Sequence, residues 1–247
     1  MTEQVSPELC SPRFPGNEQD LVTHALGWAE LFSQWPEARR RELGRSARLV
    51  RYRKRALVMG TGPKWRFVLV VVSGCVEIGS VSEAGRKHVN ALLGPGRVAP
   101  LVRLLEDEPL GYDFHAHVDS VIIRLPVDAV VAELDAEPVL WREVARLALH
   151  RQRSNIAALQ GVTLGTVRRR VAATLIALAE LHGAPQESGI DLRVSLSQHD
   201  FAALLGLSRQ TINKQLRVLA DLGVIEMSYK RLLLRDVPAL SRIASAP

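Results

Sequence analysis

The sequence is poor in cysteine, in aromatic residues and in long apolar runs, and each shortage closes off a class of protein. Its two cysteines in 247 residues, Cys10 and Cys75, cannot build a disulfide framework. They are also too few for a four-cysteine zinc or iron–sulfur site within one chain, so a reducing compartment fits. The longest apolar run, FVLVVV from Phe67 to Val72, is far shorter than the ~20 residues a membrane-spanning helix needs. It reads as a buried strand, and no membrane partner is expected. The opening stretch MTEQVSPELCSPRFPGNEQD has neither the basic start nor the apolar centre of a signal peptide. A cytoplasmic protein is therefore expected, with residues 1–19 as a flexible N-terminus. No GxxxxGK(S/T) loop, HExxH or GxSxG occurs, so no common catalytic motif speaks for an enzyme.

What is present is a globular composition, with 47% hydrophobic and 23% charged residues, in a chain long enough for two domains with real cores. The net charge of +6 and a sequence pI near 9.8 favour a polyanionic partner without proving one.

Three patterns follow one another along the chain. Asp20 to Leu43 has helical spacing, with Leu21, Ala25, Trp28, Leu31 and Phe32 on one side. The basic stretch RRRELGRSARLVRYRKR, Arg39 to Arg55, reads as a solvated helix and edge strand ahead of a direct nucleic-acid contact. From Leu57 to about Leu125, short β-branched runs alternate with glycine-bearing turns, which suggests a small β-barrel or sandwich. After Pro138 comes a long helix whose seam, Leu140, Val144, Leu147, Arg151, Ser154, Ala158 and Val162, recurs at steps of four and three. A long helix needs something to bury its stripe against. A pairing helix is the expectation, and packing on its own β domain is the alternative. Val167 to Gly183 is a further amphipathic helix, and GAPQESGIDLR after it reads as a loop.

The stretch SLSQHDFAALLGLSRQTINKQLRVLADLGVIEMSYKRLLL, Ser195 to Leu234, carries the most specific pattern. Ser197 with Asp200 forms a capping-box start, Leu196 can staple to Phe201, and Gly206 stands where the first helix must stop. Ser208 caps a second helix at once, which is helix-turn-helix spacing. In that second helix Ile212, Leu216 and Leu219 share an inward face, while Gln210, Asn213, Lys214 and Arg217 cluster opposite, with Arg209 in the first turn. Arg and Lys pair with guanine edges, Gln and Asn with adenine, and all reach phosphates. A helix N-terminus adds donors beside a phosphate. GVIEMSYKRLLLR then reads as two strands around Ser228–Lys230, a wing whose Lys230 and Arg231 could meet phosphate. The bland reading is a solvated helix pair.

LLGLSRQTINKQLRVLADLGVIE resembles the winged helix-turn-helix of the Crp/Fnr family of bacterial transcription factors, and the likeness runs from about Trp28 to Arg242. The resemblance implies an α+β fold. Residues 20–137 would form a β-roll, cyclic-nucleotide-binding-like sensor domain, 138–165 a dimerisation helix, and 166–247 a winged helix-turn-helix DNA-binding domain. It further implies a homodimer on double-stranded DNA, and RNA polymerase as a partner if the protein activates. By match to the family motif, Arg209 would read a guanine and Gln210 would replace the usual acidic base reader. Ser208, Thr211 and the wing Lys230 would touch phosphate. Asn213, Lys214, Arg217 and His199 complete the candidate DNA-contact set.

The sensor half departs from the family pattern. Pro100–Leu101 stands where cyclic-AMP binders carry a Gly-Glu pair for the ribose, and Leu110–Gly111 stands near their Arg-Ser pair for the phosphate. An anion buried without such donors is strongly disfavoured, so an effector other than cyclic AMP is expected. Arg97 and Arg103 are the nearby candidates for a different anion, such as a cyclic dinucleotide, and are as readily surface residues. An iron–sulfur cluster is disfavoured for want of cysteines. Haem would need an axial ligand. His115 and His117 share a strand face but lack a third ligand, so no metal is assigned. Cys75, inside an apolar strand, reads as an inert buried thiol. The reading from another class is a ligand-binding or protein-interaction module whose helix pair is only a scaffold, and an enzyme acting on a nucleotide comes third.

Overall fold

The computed structural model describes residues 18–62, 64–83, 87–228 and 231–245, with 161–164 described by backbone alone. The chain opens with α1 (Glu18–Trp28) and α2 (Glu37–Ser46). Eight strands follow, β1 (Arg48–Tyr52), β2 (Leu57–Met59), β3 (Phe67–Ser73), β4 (Val76–Val81), β5 (Lys87–Leu93), β6 (Val98–Ala99), β7 (Asp113–Ala116) and β8 (Ser120–Pro126), with a 3₁₀ turn at Leu101–Leu104 between the sixth and seventh. Then come α3 (Val127–Ala136), a 3₁₀ turn at Pro138–Leu140, α4 (Trp141–Leu164) and α5 (Val167–His182). The C-terminal part adds β9 (Gly183–Gln186), β10 (Gly189–Leu192), α6 (Gln198–Leu205), α7 (Arg209–Asp221), β11 (Ile225–Ser228), β12 (Arg231–Leu234) and α8 (Val237–Ser245). No helix among the described residues is long and apolar enough to cross a membrane.

The first eight strands form two four-stranded sheets, in the orders β1-β8-β3-β6 and β2-β7-β4-β5. β3 explains the all-apolar run. Alternate side chains of a strand face opposite ways, so Phe67, Leu69 and Val71 enter the core between the sheets. Val68, Val70 and Val72 enter a second core against the helices. A strand buried on both faces has no place for a polar residue, and each fully buried aliphatic contributes about 1.5–3 kcal/mol.

The helical run predicted from Asp20 to Leu43 is two helices with a turn between them. Leu31, Phe32 and Trp35 fall in that turn and are buried, with the Phe32 and Trp35 rings edge to face at 4.9 Å. The apolar periodicity continued across the break because the turn packs on the same core. Pro36 then precedes α2 as its N-cap. The basic stretch behaves as the bland reading had it: it ends as α2 and the edge strand β1, which pairs only with β8 among the described residues.

α4 runs for 24 residues, and the predicted seam is displaced on it. Leu140 and Val144 are buried in the β domain's own core, with Leu147 packed against it, which was the alternative. Beyond Arg151 every side chain up to residue 160 is exposed. The outward apolar residues are instead Leu149, Ile156 and Leu159, at 59%, 48% and 66% exposure. Ser154 and Ala158, assigned to the seam, are exposed with them, and Val162 has no described side chain. The first two turns of α4 serve the β domain, so Leu140, Val144 and Leu147 of that stripe are spent there.

The stretch GAPQESGIDLR, read as a loop, is a hairpin: β9 pairs with β10, and β10 with β12, giving a third sheet in the order β11-β12-β10-β9. Its strand partner lies some forty residues on, and local turn residues carry no trace of it. The C-terminal core of α5, α6, α7 and α8 also takes in Cys75, Val89 and Leu92 from the β domain. The last domain therefore sits directly on the sheet β2-β7-β4-β5.

Candidate functional site

Local sequence builds the helix pair. The Ser197 side chain accepts from Asp200 N while the Asp200 side chain accepts from Ser197 N, a complete capping box. Gly206 closes α6 at φ 64°, a left-handed conformation that costs a side-chain-bearing residue more than glycine. Ser208 Oγ accepts from Thr211 N at 3.1 Å to start α7. Ile212, Leu216 and Leu219 are buried, as periodicity required. Ser208, Arg209, Gln210, Lys214 and Arg217 are exposed, and Thr211 and Asn213 half-buried. The candidate residues thus occupy one surface. His199 is exposed on α6, beside them in the fold, while Lys230 lies outside the described residues.

Sequence reasoning missed the groups that position this surface. Gln198 on α6 donates to Asn213 Oδ1 at 3.2 Å and accepts from Arg209 Nε at 3.3 Å, so one amide orients two members of the polar row. Arg170 donates to Leu205 O at the end of α6, and Arg169 to Ala244 O in α8. The run RRR in α5 was therefore a signal for ties across the domain. Arg231 on the wing pairs with Asp191 at 2.8 Å.

Two matches with known protein families decide what this surface belongs to. Residues 169–243 match the "Crp-like helix-turn-helix domain" and residues 49–137 the "Cyclic nucleotide-binding domain". The chain belongs to the Crp/Fnr family. The family's "CRP-like cAMP-activated global transcriptional regulator" of Mycobacterium tuberculosis is 26% identical over 175 residues, 71% of this chain and 78% of that protein. The "Nitrogen fixation regulation protein FixK" of Azorhizobium caulinodans is 28% identical over 184 residues, 72% of this chain and 71% of that protein. In fold, the chain superposes on FixK2 from Bradyrhizobium japonicum with a TM-score of 0.71 at 20% identity, over 81% of this chain and 98% of that one. The protein is accordingly a DNA-binding transcription regulator of the Crp/Fnr type, with an α+β fold that joins a cyclic-nucleotide-binding-like domain to a winged helix-turn-helix.

In the family's sensor half, the two candidate arginines differ. Arg97 is held by Glu30 at 2.6 Å. Glu30 also accepts from Val98 N at 2.7 Å and pairs with Arg151 of α4. This network ties the helical start, the β-roll and the long helix together. Arg103 is 2% exposed and gives one nitrogen to Asp107 O at 3.1 Å. Its Nε and Nη2 have no hydrogen-bond partner among the described residues. Burial pushes the Tyr112 hydroxyl up, and the charges of Arg103 and Arg151 partly offset that, so all three lie within electrostatic reach. Cys75, expected inside a strand, lies in the turn between β3 and β4 and is buried against the C-terminal core, and burial followed by the Glu77 charge raises its thiol to about 12.

Proposed function

We propose that the protein acts as a homodimer that reads an inverted-repeat operator through two copies of α7. The observation that carries this reading is a row of outward cationic and amide side chains on a helix whose opposite face is wholly buried. On a two-fold axis two such helices enter successive major grooves about 34 Å apart. Arg209 reads a guanine edge, Gln210, Asn213, Lys214 and Arg217 complete the base and phosphate contacts, and Ser208, Thr211, His199 and the wing Lys230 hold the backbone. Footprinting tests the assignment. Arg209→Ala costs about 1–3 kcal/mol on the operator and little on random duplex, whereas Lys230→Ala weakens both alike. Equal losses on both DNAs for Arg209→Ala would remove its base-reading role.

The dimer is supported by Leu149 and Ile156, seven residues apart and exposed on α4, the spacing of a coiled-coil seam. Leu149→Asp with Ile156→Asp yields a monomer by sedimentation, and operator affinity falls with it. The effector is an anion other than cyclic AMP, and Arg103 is its anchor, with Arg97 tied to Glu30 at the same end of the β-roll. A cyclic dinucleotide has the required charge, and calorimetry against cyclic mono- and dinucleotides reads it directly. The protein works in the cytoplasm, has no enzymatic activity, and contacts RNA polymerase where it activates. A scaffold role for the helix pair instead predicts no salt-sensitive binding to duplex DNA.

A further inference from the structure

A cleft of about 1150 Å³ separates the sensor's outer sheet from the helix-turn-helix, and its lining includes Glu77, His115, His117, Asp200, Asn213 and Arg217. Glu77 on β4 lies directly opposite His115 on β7, so His115, and His117 two residues on, project from the same sheet face as Glu77. Asp200 reaches this face from α6. One ligand atom each of Glu77, His117 and Asp200 lies within 4.8 Å of the others. The sequence left the histidine pair without a third ligand, and folding supplies two carboxylates.

His117 carries the argument. It is 7% exposed and Glu77 4%, so neither can lean on solvent. Its Nδ1 faces Glu77 Oε2 at 3.3 Å and its Nε2 faces the Ser195 carbonyl at 3.3 Å. Both partners only accept, and a neutral imidazole has one N–H. With that hydrogen on Nε2, donated to Ser195 O, the bare Nδ1 lone pair is aimed at a carboxylate. A cation between that lone pair and the carboxylate would satisfy both. A backbone carbonyl fixing the tautomer of a metal-binding imidazole is the usual outer support of such sites. Asp200 spends only Oδ2 on its two bonds to Ser197, which leaves Oδ1 for another partner. Lys87 meets Glu77 at 2.7 Å and is 38% exposed, so it can withdraw into solvent.

We propose that Glu77, His117 and Asp200 hold a first-row divalent cation that joins the sensor's outer sheet to the first helix of the helix-turn-helix. One imidazole and two carboxylates, completed by water, suit Zn²⁺, Co²⁺ or Mn²⁺ rather than a soft cation. Ligand atoms around Zn²⁺ lie ~3.4 Å apart, so the Glu77–His117 pair already has that spacing at 3.3 Å, and loading would close only the gap to Asp200. Because the ligands come from both domains, the cation binds the docked arrangement and stabilises it. In that arrangement Asn213 and Arg217 face the cleft. The consequence for DNA rests on the base-reading role of α7: cation loading lowers operator affinity.

Titration of the full chain with Co²⁺, followed by visible absorption and calorimetry, tests the site. One ion per chain with imidazole-type d–d bands is expected. His117→Gln and Asp200→Asn should each weaken it 10–100-fold, and Lys87→Gln should tighten it by removing the competing ammonium. Asp200 lies at the domain surface and the Asn side chain still accepts from Ser197 N, so that variant folds even if the buried histidine variant does not. Absence of binding, or wild-type affinity in Asp200→Asn, overturns the site. Operator affinity unchanged by Co²⁺ in a protein that binds it overturns the coupling alone. Operator binding without Co²⁺ reads the DNA assignment separately.

Discussion

Arginine does opposite work at the two ends of this molecule. On α7, Arg209 and Arg217 stand at the surface, where a hydrated guanidinium costs little to leave available for a partner. In the sensor, Arg97 and Arg151 converge on one half-buried carboxylate, Glu30. Arg124 lies 4.5 Å from the centre of the Phe67 ring and donates to the Tyr52 hydroxyl. Inside the fold each cation must be matched, by a carboxylate, a carbonyl or an aromatic face. Arg103 meets the Asp107 carbonyl alone, and two of its nitrogens find no partner among the described residues. The contrast teaches where to look: an exposed charge says little until its neighbours are counted, and a buried unmatched one speaks by itself.

The contrast can be broken by experiment. Its largest expected effect is at Glu30. Glu30→Ala leaves Arg97 and Arg151 facing each other and should cost about 3 kcal/mol in denaturant unfolding, with operator affinity per folded molecule little changed. A loss under ~1 kcal/mol would make the network a surface feature. His182 comes next. Its imidazole is buried against Cys75, and burial, then the charges of His117 and Arg97, lower it from 6.5 to about 4. The folded state therefore binds fewer protons than the unfolded one between those values. Its contribution is whole above pH 6.5 and is lost as pH falls through about 4. By pH 5 about 2 kcal/mol should be gone, and His182→Asn should remove that part of the pH dependence. Parallel urea midpoints for both proteins at pH 7 and pH 5 would count against the burial argument.

Smaller effects sharpen the surface side of the comparison. Gln198→Ala, which releases both Arg209 and Asn213, should reduce operator affinity by about 1 kcal/mol and move the melting temperature only slightly, because one bond it loses is exposed and the other part-buried. Mobility shifts beside a thermal scan read the two quantities together. Ser208→Ala should cost about 1 kcal/mol of stability through its cap, and a Ser208→Asn variant should restore it, which circular dichroism melts can follow.

The helix pair was legible in the chain because its signals are local. Two serine caps, one left-handed glycine and an apolar repeat at steps of four and three all lie within twenty-five residues, and every one is in the structure. The β-roll was legible as a class, from short strands and regular glycines, and β3 announced its double burial through the six apolar residues Phe67 to Val72. The split of the α4 stripe and the pairing of β10 with β12 were not legible. Periodicity cannot say which of two partners a stripe will meet, and a strand is paired by residues far away in sequence. The cluster at Glu77, His117 and Asp200 failed for the same reason, since its members are forty and eighty-three residues apart.

By itself the sequence determined each helix end on either side of Gly206, the inward and outward faces of α7, and the burial of the β3 run, since caps, periodicity and an apolar run depend on neighbours a few residues away. Only the tertiary structure decided which arginines are satisfied, which stripe of α4 is left outward, and that two carboxylates join a histidine at the domain junction. Those depend on where separate elements meet, and contact between elements is a property of the packed chain.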